Sequence, residues 1–259
     1  METELDHVKK RLAERLTICL AALALCFGAV MYAPAVASVS GKIQAKELPV
    51  YSVETEQKQV ALSFDAAWSN EYTEELLAVL KEYDVRATFF ITGDWAGKYP
   101  DDVKAIAAAG HDLGNHSESH PNLSLMDMAE IKAEIEAAHS MVRELTGVEM
   151  ELFRPPYGSY NDSVVKAARE CGYIPVQWSV DSLDWKDYGV KSIVKMVCNN
   201  RYLGNGAIIL LHNGAKYTPQ ALSLIIEGLE SQGYEIVPIS QLLIRGSYHL
   251  DHTGKQIRD

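Results

Sequence analysis

The sequence predicts an α/β protein in which helices cover a parallel sheet that is either open or closed into a barrel. Apolar runs of strand length alternate with segments of helical periodicity, in about seven strand–helix units. Proline, glycine and capping residues separate these units. The chain has 259 residues and is 47% hydrophobic, which suffices for one sizeable domain.

The first half of the chain supplies two predicted strands and three helices. VALSFD is typical of a buried strand, and EYTEELLAVLKEY has apolar residues at helical spacing. ATFFIT is a second strand, rich in β-branched and aromatic residues. YPDDVKAIAAAG has Pro100 near its start and Gly110 at its end, as helices do. SLMDMAEIKAEIEAAHSMVRELTG opens with Ser124 and Asp127, which we interpret as a capping box, and ends at Gly147.

The second half repeats the alternation. NDSVVKAARECG is a predicted helix, IPVQWSVD a strand, VKSIVKMVCNNR a helix and GAIILLH a buried strand. In TPQALSLIIEGLESQG, Thr218 is the predicted N-cap and Pro219 the first helical residue. YEIVPIS is the last predicted strand.

Composition divides the chain into a leader at 1–15, an apolar segment at 16–37, a linker at 38–57, a main domain at 58–246 and a loose tail at 247–259. The apolar segment is about as long as a bilayer span requires, and the basic residues before it predict a cytoplasmic N-terminus. Ala35, Val36 and Ala37 also fit a signal cleavage site. A membrane anchor and a signal sequence cleaved near Ala37 both stay open, and either predicts an exported domain.

The net charge of the chain argues against nucleic acid as a partner. The formal net charge is −11, and the charges before Ser38 balance, so the main domain is acidic and would repel nucleic acid. Cys171 and Cys198 follow no metal or redox pattern. Two buried free thiols and a disulfide bond between them both stay open.

Titratable side chains follow almost every predicted strand. In barrels of parallel strands, the chemistry lies at the carboxyl ends of the strands, so these side chains are the candidate site. They are Asp65, His116, His120, Arg154, Asp181, Asp184 and His212.

His116 and His120 are four residues apart, which on a helical turn would place both imidazoles on one face, as in zinc sites. A pair of surface or capping histidines is the alternative. Arg154 precedes two prolines that stiffen its loop, and its natural partner is Asp65, unless it forms an ordinary structural ion pair.

His212 ends an apolar strand and is either a core residue or a general acid oriented by Asp184 or Asp181. Together the residues suit metal-assisted hydrolysis, in which a metal ion polarises a carbonyl group and acidifies water. Asp65 would remove the proton from water, and backbone N–H groups near Tyr157 would hold the oxyanion.

The segments SFDAAW, NHSESH, RPPYG, DSLDW and ILLH resemble, in order, the five motifs of NodB-type polysaccharide deacetylases, carbohydrate esterase family 4. The resemblance implies a distorted (β/α)7-type barrel that removes N-acetyl groups from chitin-like or peptidoglycan sugars. The roles that it implies are Asp65 as base, Arg154 as its tether, His116 and His120 as metal ligands, Asp184 as partner of the acid His212, and Trp185 and Leu210 as walls around the acetyl methyl group.

The first motif departs from the family pattern. Where the family has two consecutive aspartates, this chain has Asp65 and then Ala66, so the second aspartate, a metal ligand in the family, is missing. We therefore expect a weakened site for a divalent metal, zinc first and cobalt or manganese as alternatives. This variant resembles the sporulation-associated branch of the family. A catalytically weak or inactive glycan-binding barrel is the alternative to an enzyme.

Overall fold

The computed structural model describes residue 17 and residues 46–259. Glu47–Asp259 form one compact unit. The predicted leader, the predicted anchor or signal segment apart from Thr17, and the predicted linker up to residue 45 lie outside the described residues. Within the part of the chain that the structure describes, no helix is both long enough and apolar enough to cross a membrane.

The strands of residues 46–259 form one sheet with eleven members. They are β1 (Ser52–Val53), β2 (Gln59–Ala66), β3 (Thr88–Ile91), β4 (Asp112–Asn115), β5 (Leu152–Phe153), β6 (Ile174–Pro175), β7 (Val180–Asp181), β8 (Ala207–His212), β9 (Glu235–Ile236), β10 (Tyr248–Leu250) and β11 (Lys255–Arg258).

The α-helices of the same region fall between these strands along the chain. They are α1 (Thr73–Glu82), α2 (Gly93–Lys98), α3 (Pro100–Ala108), α4 (Met128–Thr146), α5 (Asp162–Glu170), α6 (Val190–Cys198), α7 (Thr218–Ser231) and α8 (Ile239–Leu242). Short 3₁₀ turns cover Leu123–Leu125, Pro156–Gly158 and Asp184–Lys186.

The sheet confirms the predicted α/β class and the distorted barrel. Its order is β10-β11-β1-β8-β2-β3-β4-β5-β6, with β7 added to β8 and β9 added to β2. The run from β8 through β2 to β6 is parallel. A bridge between Val50 and Val176 joins the segment before β1 to the segment after β6, so the sheet curves back toward β8.

Side-chain alternation along β2 directs Asp65 to the site. Leu62 and Phe64 pack in the larger of two hydrophobic clusters, whereas Ala61 packs in the smaller one with Phe90. Successive side chains on a strand point to opposite faces, so Asp65 shares the face of Ala61. In the parallel pairing of β2 with β8, Asp65 is in register with His212.

The sequence did not predict β4 and β5, which lie between β3 and β6 in the sheet. β4 contains Asp112 and Gly114, residues that strands disfavour, so its pattern was not recognised. Gly114 is needed there because an added Cβ would lie 2.5 Å from Cδ1 of Phe90.

The predicted loose tail at 247–259 was wrong. β10 and β11 form an antiparallel hairpin, and β11 pairs with β1, which itself lies in the predicted linker. Gln256 is fully buried, and its side chain accepts a hydrogen bond from Ile244 N at 2.8 Å and donates to the Ile244 carbonyl at 3.2 Å. These contacts tie the polar C-terminus to the domain.

Two predicted helix starts also need correction. Asp127 caps α4 in a capping box with Glu130, while Ser124 lies in the preceding 3₁₀ turn. Tyr217 is the N-cap of α7, and Thr218 is its first helical residue. The Thr218 hydroxyl donates to Asp184 instead. Cys171 and Cys198 are both free, and each is partly buried.

Candidate active site

A cavity of about 550 Å³ is lined by the polar candidates at the carboxyl ends of β2, β4 and β8. Arg154 and Asp184 are fully buried and each bonds to a cavity residue. The structure thus brings all predicted site residues together. The cavity is lined by Asp65, Trp68, His116, His120, Tyr157, Trp178, Asp181, Trp185, Leu210 and His212, among others.

Asp65 and Arg154 form a buried ion pair. Arg154 Nη1 donates to Asp65 Oδ1 at 2.6 Å, and the side chains are 0% and 8% exposed. Arg154 Nη2 donates to the Ser63 hydroxyl at 2.9 Å and to the Gln177 carbonyl at 3.2 Å. The guanidinium also lies 4.0 Å from the centroid of the Phe90 ring. These contacts fix the orientation of the Asp65 carboxylate.

His116 and His120 converge without the predicted helical turn. Ser117 and His120 have φ values of 68° and 56°, so the segment after β4 bends through left-handed conformations. This bend places the two Nε2 atoms 3.2 Å apart. His116 Nε2 also lies 3.5 Å from Asp65 Oδ2.

His212 is held by Asp184, as predicted. Asp184 in turn accepts a hydrogen bond from Thr218 that was not predicted. Asp184 Oδ1 lies 2.7 Å from His212 Nδ1, and Oδ2 accepts a hydrogen bond from the His212 backbone N–H at 2.8 Å. The buried Thr218 hydroxyl donates to the same Oδ2 at 2.7 Å. Asp184 therefore has both oxygens engaged, which orients the imidazole ring.

Burial and neighbouring charges give the cavity groups different protonation states. Burial raises the pKa of Asp65, but the adjacent guanidinium and imidazoles outweigh it and the pKa lies below its usual value. Burial lowers the pKa of His212, but the hydrogen bond and charge of Asp184 raise it above its usual value. Burial lowers the pKa of His116, and burial with the neighbouring imidazole lowers that of His120 to about 4. An ionised carboxylate, a readily protonated imidazole and two neutral imidazoles can support acid–base chemistry.

The two neutral histidines fit two ligands of a divalent metal ion. Two nitrogens bound to tetrahedral zinc at ~2.0–2.1 Å lie about 3.3–3.4 Å apart, close to the 3.2 Å between His116 Nε2 and His120 Nε2. His116 Nδ1 lies 2.7 Å from the Arg154 carbonyl, a contact that orients ligating histidines. Among the described residues, however, no group of three or more His, Cys, Asp or Glu side chains is arranged to hold a metal.

Ala66, which stands where the family has its aspartate ligand, does not line the cavity. It is fully buried and packs in the larger hydrophobic cluster, while Asp65, Ala67 and Trp68 line the cavity. Zinc enzymes ordinarily use three protein ligands, so the histidine pair fits a weak site.

Aromatic side chains form much of the cavity wall. Tyr157 and Trp185, predicted from the motifs, are 70% and 54% exposed, and Leu210 is a buried part of the lining. Trp68 and Trp178 were not predicted as site residues. Trp68 lies with its ring 5.0 Å from that of His212, and its place just after β2 was the sequence signal that could have identified it.

Comparisons with known proteins agree with the motifs. The polysaccharide deacetylase family model matches residues 52–176. The chain is 36% identical over 188 residues to a peptidoglycan-N-acetylglucosamine deacetylase of Bacillus cereus, across 71% of this chain and 68% of that protein. The chain belongs to the polysaccharide deacetylase family. It is also 33% identical over 208 residues to the peptidoglycan-N-acetylmuramic acid deacetylase PdaA of Bacillus subtilis, across 77% of each.

Polysaccharide deacetylase structures include both enzymes and pseudoenzymes. A carbohydrate esterase family 4 pseudoenzyme from Bacillus anthracis matches with a TM-score of 0.73 at 33% identity, across 82% of this chain and 71% of that chain. A mutant of that pseudoenzyme with restored enzymatic activity matches with the same TM-score of 0.73 at 34% identity, across 82% of this chain and 73% of that chain. Membership of the family therefore leaves activity to be tested on this chain.

Proposed function

We propose that this polysaccharide deacetylase hydrolyses the N-acetyl amide of cell-wall glycan, either peptidoglycan or a chitin-like polymer. The observation that carries the proposal is the presence of two complete pairs at one cavity, Asp65 with Arg154 and His212 with Asp184. The pKa values of Asp65 and His212 are shifted in opposite directions, which suits a base and an acid.

The proposed reaction divides the proton transfers between these pairs. Asp65 accepts a proton from water as the water oxygen attacks the carbonyl carbon of the acetamido group. The protonated His212 then donates a proton to the amide nitrogen, and the C–N bond breaks. The products are acetate and the free amine of the sugar. Arg154 keeps Asp65 ionised and oriented, and Asp184 keeps His212 protonated.

The remaining residues bind and orient the acetamido group. In this proposal the Tyr157 backbone N–H donates to the developing oxyanion, and Trp185 with Leu210 encloses the acetyl methyl group. His116 and His120 would hold a divalent ion, zinc first and cobalt or manganese as alternatives. When bound, such an ion polarises the carbonyl group and lowers the pKa of water.

A second candidate function is glycan binding without turnover. It is favoured by Ala66, which leaves the histidine pair without an anionic partner ligand, and by the likeness to a pseudoenzyme of the same family. Retention of both the Asp65 and the His212 pair favours the enzyme, since a binding protein has little use for them.

The deciding experiment measures acetate release by the full-length protein from N-acetylglucosamine oligomers and from peptidoglycan, with and without added Zn²⁺ or Co²⁺. We expect metal-stimulated release that is lost in Asp65→Asn. Ala66 packs in the larger hydrophobic cluster and does not line the cavity, so Ala66→Asp raises zinc affinity only if its new carboxylate turns toward the histidine pair; unchanged affinity would mean that position 66 does not face the ion. Release from Ala66→Asp but not from the unchanged protein would favour glycan binding as the native function. Release by Asp65→Asn at the wild-type rate would refute the role of Asp65.

We also propose that the protein acts outside the cytoplasm, as its cell-wall substrate requires. The uncharged stretch from Leu16 to Gly41 behind a basic cluster supports export. Cell fractionation with N-terminal sequencing tests this. Full-length protein in the membrane fraction would identify an anchor, a secreted form beginning near Ser38 would identify a cleaved signal, and cytoplasmic protein would refute export.

A further inference from the structure

A second groove, of about 520 Å³, adjoins the candidate active site. Trp178 and Asp181 line both the groove and the cavity, so the two are adjacent. From there the groove runs to the carboxyl-terminal part of α6 and the loop that follows it. The proposed hydrolysis uses no residue of this outer end.

The outer end of the groove is cationic although the chain as a whole is acidic. Lys195 and Arg201 line it, and within residues 46–259 neither forms an ion pair with a carboxylate. Asp181 is the acidic residue of the lining, at the junction with the cavity. A carboxylate in the groove would therefore be repelled at the junction and attracted at the outer end.

The same end carries groups that suit a sugar. Tyr202 is 59% exposed, and the Arg201 guanidinium lies 4.5 Å from its ring centroid and donates to its hydroxyl. This contact holds the guanidinium in place beside an aromatic surface on which a sugar ring can pack. The exposed Asn199 adds an amide that can hydrogen-bond to hydroxyl groups.

We infer that this groove binds a neighbouring sugar of the same glycan strand that bears a carboxylate, with Lys195 and Arg201 contacting the carboxylate. The inference rests on the proposed function, because the cavity must hold the N-acetylated sugar next to it. A neutral glycan would leave both cations without a ligand. The substrate class is therefore an N-acetylated glycan in which acidic sugars occur, such as strands containing N-acetylmuramic acid.

The test is calorimetric binding to the full-length protein, in the presence of a chelator to prevent turnover. Two tetrasaccharides are compared, one of alternating N-acetylglucosamine and N-acetylmuramic acid and one of N-acetylglucosamine alone. We expect the acidic glycan to bind more tightly, by about three- to tenfold for two exposed cations. The preference should shrink as salt is raised.

The Lys195→Gln/Arg201→Gln double variant should lose this preference while its affinity for the neutral glycan is unchanged. Lys191→Gln is the matched control, because Lys191 is an exposed lysine of the same helix outside the groove lining. Equal wild-type affinities, or a preference that survives in the double variant, would overturn the inference and leave the proposed hydrolysis intact. Binding of neither glycan would overturn the inference, and acetate release would then decide the proposed hydrolysis.

Discussion

Replacing Arg154 by methionine keeps most of the side-chain volume but removes the guanidinium that donates to Asp65 at 2.6 Å. Both partners are buried, so the Asp65 charge would lose its largest neighbouring counter-charge at a position with little access to water. Loss of one partner of a buried pair costs about 3–5 kcal/mol of unfolding free energy, well above the roughly 0–1 kcal/mol of a surface pair. We expect Arg154→Met to fall in the higher range.

A double-mutant cycle separates the ion pair from general packing effects. Asp65→Asn alone leaves a buried guanidinium without its carboxylate, whereas Asp65→Asn/Arg154→Met removes both charges. The double variant should therefore be more stable than the sum of the single changes predicts, by about 2–3 kcal/mol. Urea unfolding of the full-length protein at pH 7, followed by circular dichroism, gives the four free energies. Additivity within ~0.5 kcal/mol would refute a coupled buried pair.

The same pair predicts the sign of an acid effect. Because the pKa of Asp65 is lowered in the fold, the pair stabilises the protein above the unfolded carboxyl pKa of about 3.9 and loses this contribution as the pH falls through the folded value. In Arg154→Met this part of the pH dependence should shrink.

Three further predictions concern the neighbours of the site. Asp184→Asn should lower the pKa of His212, measured by NMR titration, because burial then acts without the opposing charge of Asp184. The stabilisation of the fold by the His212–Asp184 pair is present below the unfolded histidine pKa of about 6.5 and is lost as the pH rises through the folded value. Thr218→Val should cut any acetate release about three- to tenfold, since Asp184 loses one hydrogen bond that orients it, while the pKa of His212 should stay above its usual value because the Asp184 charge remains. Gly114→Ala should cost about 1–3 kcal/mol of unfolding free energy, because the added methyl group overlaps the buried Phe90 ring.

Conservative variants serve as controls for these changes. Thr218→Ser keeps the hydroxyl and should retain the acetate release; failure to do so would mean that packing, not the hydrogen bond, is responsible. Gly97→Ala places its Cβ 3.6 Å from Met141 Cε, an ordinary contact, and should be close to neutral. Equal losses in Gly97→Ala and Gly114→Ala would contradict the overlap with Phe90.

Much of the site could be predicted because local sequence carries it. An apolar run of strand length ends at the carboxyl edge of a parallel sheet. Asp65 and His212 end two such runs, so they were found directly. The residues themselves suggested Arg154 as the partner of Asp65 and either Asp184 or Asp181 as the partner of His212, and the resemblance to the five ordered motifs selected Asp184. The missing ligand at Ala66 is equally a property of the sequence.

Other features depend on contacts between distant segments. Thr218 has the local pattern of a helix cap, yet its hydroxyl donates to Asp184, which lies in another loop. The tail after Ser247 is polar, yet Gln256 is buried in it, and its side chain forms hydrogen bonds with the backbone of Ile244.

The sequence alone determined the α/β class, the family, the acidic character and the main candidate residues, because periodicity and motif order are local properties of a chain. The tertiary structure decided the bend that brings His116 and His120 to 3.2 Å, the place of Ala66 in the hydrophobic core and the cationic groove beside the cavity. These features depend on how strands and loops far apart in sequence pack against one another, and no local pattern encodes that packing.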